Sequence, residues 1–115
     1  MKKIARKAKE PEIDTRFAAV VGVFSRHRDV VAGRLMSSYG LKVGGKIFAM
    51  FGKGRYVVKL PKARVDMMVE AGNGKRFDPG HGRLMKEWIV VEAEKADWIG
   101  LAQEAYRYVK LGPEG

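Results

Sequence analysis

"LKVGGKIFAMFGKGRYVVKL", residues 41–60, decides how this chain folds. Two runs rich in apolar and aromatic residues, 46–51 and 55–60, flank Lys53-Gly54, while Gly44-Gly45 separates the first run from 41–43. Glycine enters the positive-φ region at no steric cost, and two-residue loops built there match the twist of antiparallel strands. With residues 34–39 leading into it, the stretch predicts an antiparallel meander of three strands. Ideal two-residue turns would oppose Val43 to Lys46, Leu41 to Phe48, Phe51 to Tyr56 and Ile47 to Leu60. One face then carries Ile47, Ala49, Phe51, Tyr56, Val58 and Leu60, a plain core face. The other mixes Tyr39, Leu41, Phe48, Met50 and Val57 with Arg55 and Lys59.

Upstream, Phe17, Val20, Val21, Phe24 and Val31 follow helical spacing. They predict an amphipathic helix near 15–28, capped by Asp14 and stapled by Ile13. Downstream, Pro61 suits a helix start and Gly72 a helix end, with Val65, Met68 and Val69 as an apolar stripe between them. Residues 76–78 and 84–92 read as two further strands joined through Pro79-Gly80-His81-Gly82. A last helix carries Trp98, Leu101, Ala102, Ala105, Tyr108 and Val109 on one face, with Glu92 and Glu94 marking its start. Gly100 should cost that helix about 1 kcal/mol against alanine. The order is α-β-β-β-α-β-β-α, a two-layer α+β domain on an antiparallel sheet.

Within 115 residues there is room for one core, and 13–111 read as a single domain, with 112–115 as a short tail. No apolar run approaches the roughly 18 residues of a membrane helix, and no apolar segment follows the basic N-terminus as a secretory signal requires. The chain has no Cys, which excludes disulfides, thiolate nucleophiles and Cys-ligated metals. A cytoplasmic protein without membrane partners is the expectation. Its formal net charge is +10, which favours anionic partners, nucleic acid foremost. Residues 1–12 read as a flexible basic tail.

Three tetrapeptides share the form Gly-x-Gly-base: 52–55, 72–75 and 80–83, the last reading "GHGR". A phosphate cradle needs backbone N–H groups aimed at the anion, usually where a strand turns into a helix. None of the three precedes a predicted helix, and neither the Walker pattern nor G-x-G-x-x-G is completed. They read as turns. Ser25, Ser37 and Ser38 lack a nucleophile elbow, and His27 reads as a solvated residue beside Arg26 and Arg28. His81, with Asp78 and Arg83, is what an enzyme would have to use, but no motif supplies a nucleophile. No catalytic residue, metal site or cofactor is expected.

The stronger signals concern binding. For nucleic acid the candidate contacts are Lys2, Lys3, Arg6, Lys7 and Lys9, then Lys53, Arg55 and Lys59. For a protein partner or a second copy, the candidate face is Tyr39, Leu41, Phe48 and Met50.

Residues 36–60, "MSSYGLKVGGKIFAMFGKGRYVVKL", and 77–91, "FDPGHGRLMKEWIVV", resemble the N-terminal domain of the TfoX/Sxy family. Gly45-Lys46-Ile47-Phe48-Ala49 and Lys86-Glu87-Trp88 carry most of the likeness, and the related YjbR/MmcQ group shares both elements. The family's Phe-Gly-Gly after the early Met is replaced here by Ser37-Ser38 and Tyr39. The resemblance implies a domain similar to secretion-chaperone-like folds. It also implies a bacterial protein tied to competence and transcription regulation, a regulatory or adaptor module with no established catalytic residues.

Overall fold

The computed structural model describes residues 14–35, 38–80 and 82–112. Helix α1, Thr15–Phe24, opens on Asp14, whose carboxylate accepts the Arg16 N–H at 2.7 Å. The helix stops earlier than its apolar spacing suggests. Ser25 closes it by donating both its N–H and its hydroxyl to the Gly22 carbonyl, and β-branched Val30 and Val31 then begin a strand. Val31 is therefore not on a helix face; it pairs with Lys42.

That strand, β1 (Val30–Leu35), extends the meander from three strands to four, followed by β2 (Ser38–Val43), β3 (Lys46–Gly52) and β4 (Arg55–Lys59). Helix α2 (Lys62–Glu70) comes next, then β5 (Gly74–Arg76), β6 (Trp88–Val91) and α3 (Trp98–Leu111). The order is α-β-β-β-β-α-β-β-α around a six-stranded antiparallel sheet, β1-β2-β3-β4-β6-β5. The chain is thus a mixed α+β fold, as its patterning predicts.

Both hairpin turns have left-handed backbone at their central residues: Gly44 and Gly45 at φ 60° and 79°, Lys53 and Gly54 at 53° and 75°. These are the angles of type I′ turns. Helix α2 ends in a Schellman motif: Asn73 donates to the Met68 carbonyl and Gly72, at φ 78°, to that of Val69. Strand β5 has the expected length but starts earlier, and β6 is shorter than expected. Gly74 already lies in β5, where a Cβ would come within 2.3 Å of the Val90 carbonyl oxygen.

Glu92 and Glu94 do not open the last helix. The Glu92 and Ala93 N–H groups both donate to the Asn73 carbonyl, and the cap is Asp97, which accepts the Gly100 N–H at 2.9 Å. Gly100 is thus in the first helical turn, where a Cβ would meet the cap carboxylate at 2.3 Å.

Between Leu41 and Lys42 the β2–β3 register shifts, so Leu41 faces Ala49 and Lys42 faces Ile47, leaving Phe48 as the extra residue of a bulge. Consecutive residues Phe48 and Ala49 are both fully buried. The Val43–Lys46 and Phe51–Tyr56 pairings are as the turns dictate.

All three helices cover one face of the sheet. Their apolar residues, among them Phe17, Val20, Val65, Met68, Leu101 and Ala105, join Leu41, Phe48, Tyr56 and Ile89 in a single core. Its centre is aromatic: the Phe17 ring lies 5.7 Å from that of Phe51, and Tyr56 stacks on Trp98 at 4.1 Å while donating its hydroxyl to the Trp98 carbonyl. Burial pushes the Tyr56 phenol well above its ordinary pKa. Arg64 locks α2 to α3 through a two-pronged bond to Glu104 at 2.9 and 3.1 Å.

Candidate nucleic-acid interface

Seven cations and no carboxylate occupy the six strands: Arg34, Lys42, Lys46, Arg55, Lys59, Lys75 and Arg76. Cross-strand partners share a face, which sorts them. Met50 pairs with Gly40 and Val57, Val57 with Val90, and Val90 with Lys75. This row lies opposite the helices, since Val57 and Val90 are buried outside the helix-covered core. By two-residue alternation Lys42, Arg55 and Lys59 join Lys75 on the same face.

The segment after β5 folds back over part of this face, bringing the Phe77 ring under the Arg55 guanidinium at 5.4 Å. Arg55 and Lys53 flank a cleft of about 160 Å³ lined also by Ser38, Met50 and Phe77. Both cations are exposed, and neither makes an ion pair among the described residues. Lys59 is placed differently, at the far end of β4, where it faces Glu87 at 3.7 Å and the Trp88 ring at 5.7 Å. The structure therefore brings Lys53 and Arg55 together and sets Lys59 apart, beside the Glu87 carboxylate. Lys2, Lys3, Arg6, Lys7 and Lys9 lie outside the described residues. Lys42 and Phe77 were missed in the sequence, although strict alternation from buried Leu41 and Val43 places Lys42 on this face.

The face expected for a protein partner does not survive the bulge. Leu41 and Phe48 are fully buried and Tyr39 packs against the core, so Met50 alone of the four stays on the open side.

None of the three Gly-x-Gly-base tetrapeptides runs into a helix, where backbone N–H groups would converge on a phosphate. The first is the β3–β4 turn and the second the Schellman exit of α2. In the third, the Gly80 and Gly82 N–H groups donate to the Asp78 carboxylate at 2.8 and 3.2 Å, so an internal anion already fills the loop. His81 lies outside the described residues. His27 is not a solvated helix residue; it follows α1, with its ring 5.0 Å from Phe24 and 5.1 Å from Tyr106.

The carboxylates cluster on helices and loops instead. Asp66 on α2 bonds both Lys62, at 2.8 Å, and Arg76, and these two cations hold its pKa below the ordinary carboxylate value. Asp29 accepts the Tyr106 hydroxyl at 2.7 Å and pairs with Lys110 at 3.0 Å, and it too is held low, first by the tyrosine bond. Among the described residues no group of three His, Asp or Glu side chains could hold a metal, and no helix is long and apolar enough to cross a membrane. No protein-family model matches the chain, and neither does any curated protein or solved structure.

Proposed function

We propose that this chain is a cytoplasmic, non-enzymatic module that binds nucleic acid, in the regulatory or adaptor role that the TfoX-like resemblance implies. The observation that carries this reading is the carboxylate-free sheet, whose face opposite the helices presents Lys42 and Arg55, with Lys53 on the adjoining β3–β4 turn, none of them ion-paired among the described residues. A rigid surface of one sign attracts the phosphate backbone and releases its counterions on contact. Met50 and Phe77 border the cations, so a base exposed at that cleft would meet an apolar or aromatic surface. These contacts are to phosphates and base faces, so they predict little sequence preference.

Fluorescence anisotropy of a labelled generic duplex and of a single strand, across a salt series, tests the reading on the full chain and on residues 11–115. Binding should weaken steeply with salt and persist without the first ten residues. The double variant K53E/R55E should lose at least about tenfold in affinity, since each phosphate contact contributes to a salt-dependent sum. Binding that vanishes with the tail, or that ignores the double charge reversal, would remove the sheet face from consideration.

A further inference from the structure

At the opposite end of the same sheet, the C-terminal turn of α3 overhangs the starts of β3 and β6 and leaves an apolar hollow of about 330 Å³. Ile47, Trp88, Tyr108 and Val109 form its walls. Two further depressions share those walls. One of about 490 Å³ runs along Leu84 and Met85 beside Trp88, and one of about 570 Å³ runs past Tyr108 to Leu111 and Arg64. Leu84 and Leu111 are 57% and 63% exposed, large apolar side chains left open at either end of the hollow. The hollow of about 330 Å³ has room for an anchoring side chain, and the two depressions extend it as more open surface.

Charge on the rim is one-sided. The two carboxylates there are already engaged, Glu87 by Lys59 at 3.7 Å and Glu104 by Arg64 at 2.9 Å. Lys46, Arg83, Lys86 and Arg107 are exposed and carry no ion pair among the described residues. Apolar pockets ringed by unpaired cations complement a chain that alternates apolar anchors with carboxylates. A duplex, with its bases stacked inside, would satisfy the cations but leave Ile47 and Val109 against a charged backbone.

We infer that the groove centred on Trp88 is a docking site for an acidic peptide segment of a partner protein, one bearing Leu or Phe anchors among Asp and Glu. Trp88 and Tyr108 supply the buried aromatic contact that dominates such interfaces, and the cations steer the encounter. This site is separate from the Lys53–Arg55 cleft, so the module would hold a protein with one end and nucleic acid with the other.

The test uses the full chain and three short labelled probe peptides: acidic with Leu and Phe anchors, its Asn/Gln analogue, and its Lys analogue. The acidic probe should bind, shift the emission of half-buried Trp88, and weaken as salt rises. The exposed-rim variant K86E/R107E should bind it at least tenfold more weakly while keeping the wild-type melting temperature, and Tyr108→Ser should weaken it through the apolar wall. Equal binding of the Asn/Gln analogue, or no binding of the acidic probe, overturns the inference. So does competition in which duplex DNA displaces the probe and K86E/R107E loses both, since the groove would then be part of the nucleic-acid surface. Failure of K53E/R55E to affect DNA, with the peptide result intact, would strike only the sheet-face reading.

Discussion

Phe48 shows what one inserted residue does. In an unbroken ladder it would stand beside Met50 on the open face; the bulge turns it inward, where it meets Phe24 at 5.1 Å and Tyr106 at 5.7 Å. Deleting a buried aromatic ring removes its transfer energy and leaves a cavity, typically about 3–5 kcal/mol. Phe48→Ala should therefore cost about that much, a large part of the stability of a domain this size. Met50→Ala should cost about 1 kcal/mol, because its side chain is half-buried outside the core. Urea denaturation of the two variants reads the difference. Similar, small losses would mean that the regular register is right and that Phe48 lies on the surface. Trp98 is the converse case: it is almost wholly buried, yet its indole N–H has no partner among the described residues. The Tyr56 ring stacks on the indole and the Arg16 guanidinium lies 4.1 Å over its face, contacts that hold the ring in place and leave the in-plane N–H without an acceptor.

At the scale of elements, α3 begins with two terms that oppose each other. Glycine is about 1 kcal/mol worse than alanine in a helix, and a side-chain N-cap contributes about the same amount. At Gly100 the two are coupled, because the Cβ of an alanine would displace the Asp97 carboxylate that caps the helix. Gly100→Ala alone should change stability by less than about 0.5 kcal/mol, whereas in an Asp97→Ala background it should stabilise by up to about 1 kcal/mol. A double-mutant cycle from urea midpoints measures that coupling; simple additivity would show that an alanine at 100 leaves the Asp97 cap bond intact. The same helix explains what the sequence could reveal. Turns were legible because Gly44-Gly45, Lys53-Gly54 and Gly72 act through their own backbone angles. The helix cap was misassigned because Glu92 and Glu94 suit a helix start equally well locally, and only the bonds from the Glu92 and Ala93 N–H groups to the Asn73 carbonyl, distant in sequence, hold this stretch out of the helix. Val31 matched the helical repeat from Phe24 by spacing alone, while its strand is fixed by pairing to β2. At the candidate site, Lys53 and Arg55 were readable from their turn. The pairing of Lys59 with Glu87 joins residues distant in sequence, and no local pattern announces it.

Across the whole molecule, positive charge is in excess while the attractive pairs are exposed. The seven ion pairs among the described residues all involve side chains at least a quarter exposed, and such pairs contribute little and weaken with salt. Against them stands the self-repulsion of a chain at +10, which opposes compaction and also weakens with salt. The Debye length falls from about 30 Å at 0.01 M to about 8 Å at 0.15 M, passing through the 14.5 Å radius of gyration, so the long-range repulsion is screened more completely than contacts of 3–4 Å. The urea midpoint should therefore rise with NaCl over that range; a fall would mean that the pairs outweigh the repulsion. A short DNA duplex at matched ionic strength then separates charge from architecture. The unfolded chain carries the same charge, so only binding to an arrangement created by folding raises the midpoint further. A midpoint that climbs with duplex concentration, and does so less in K53E/R55E, supports a preorganised face; an unchanged one means that folding adds no affinity for DNA.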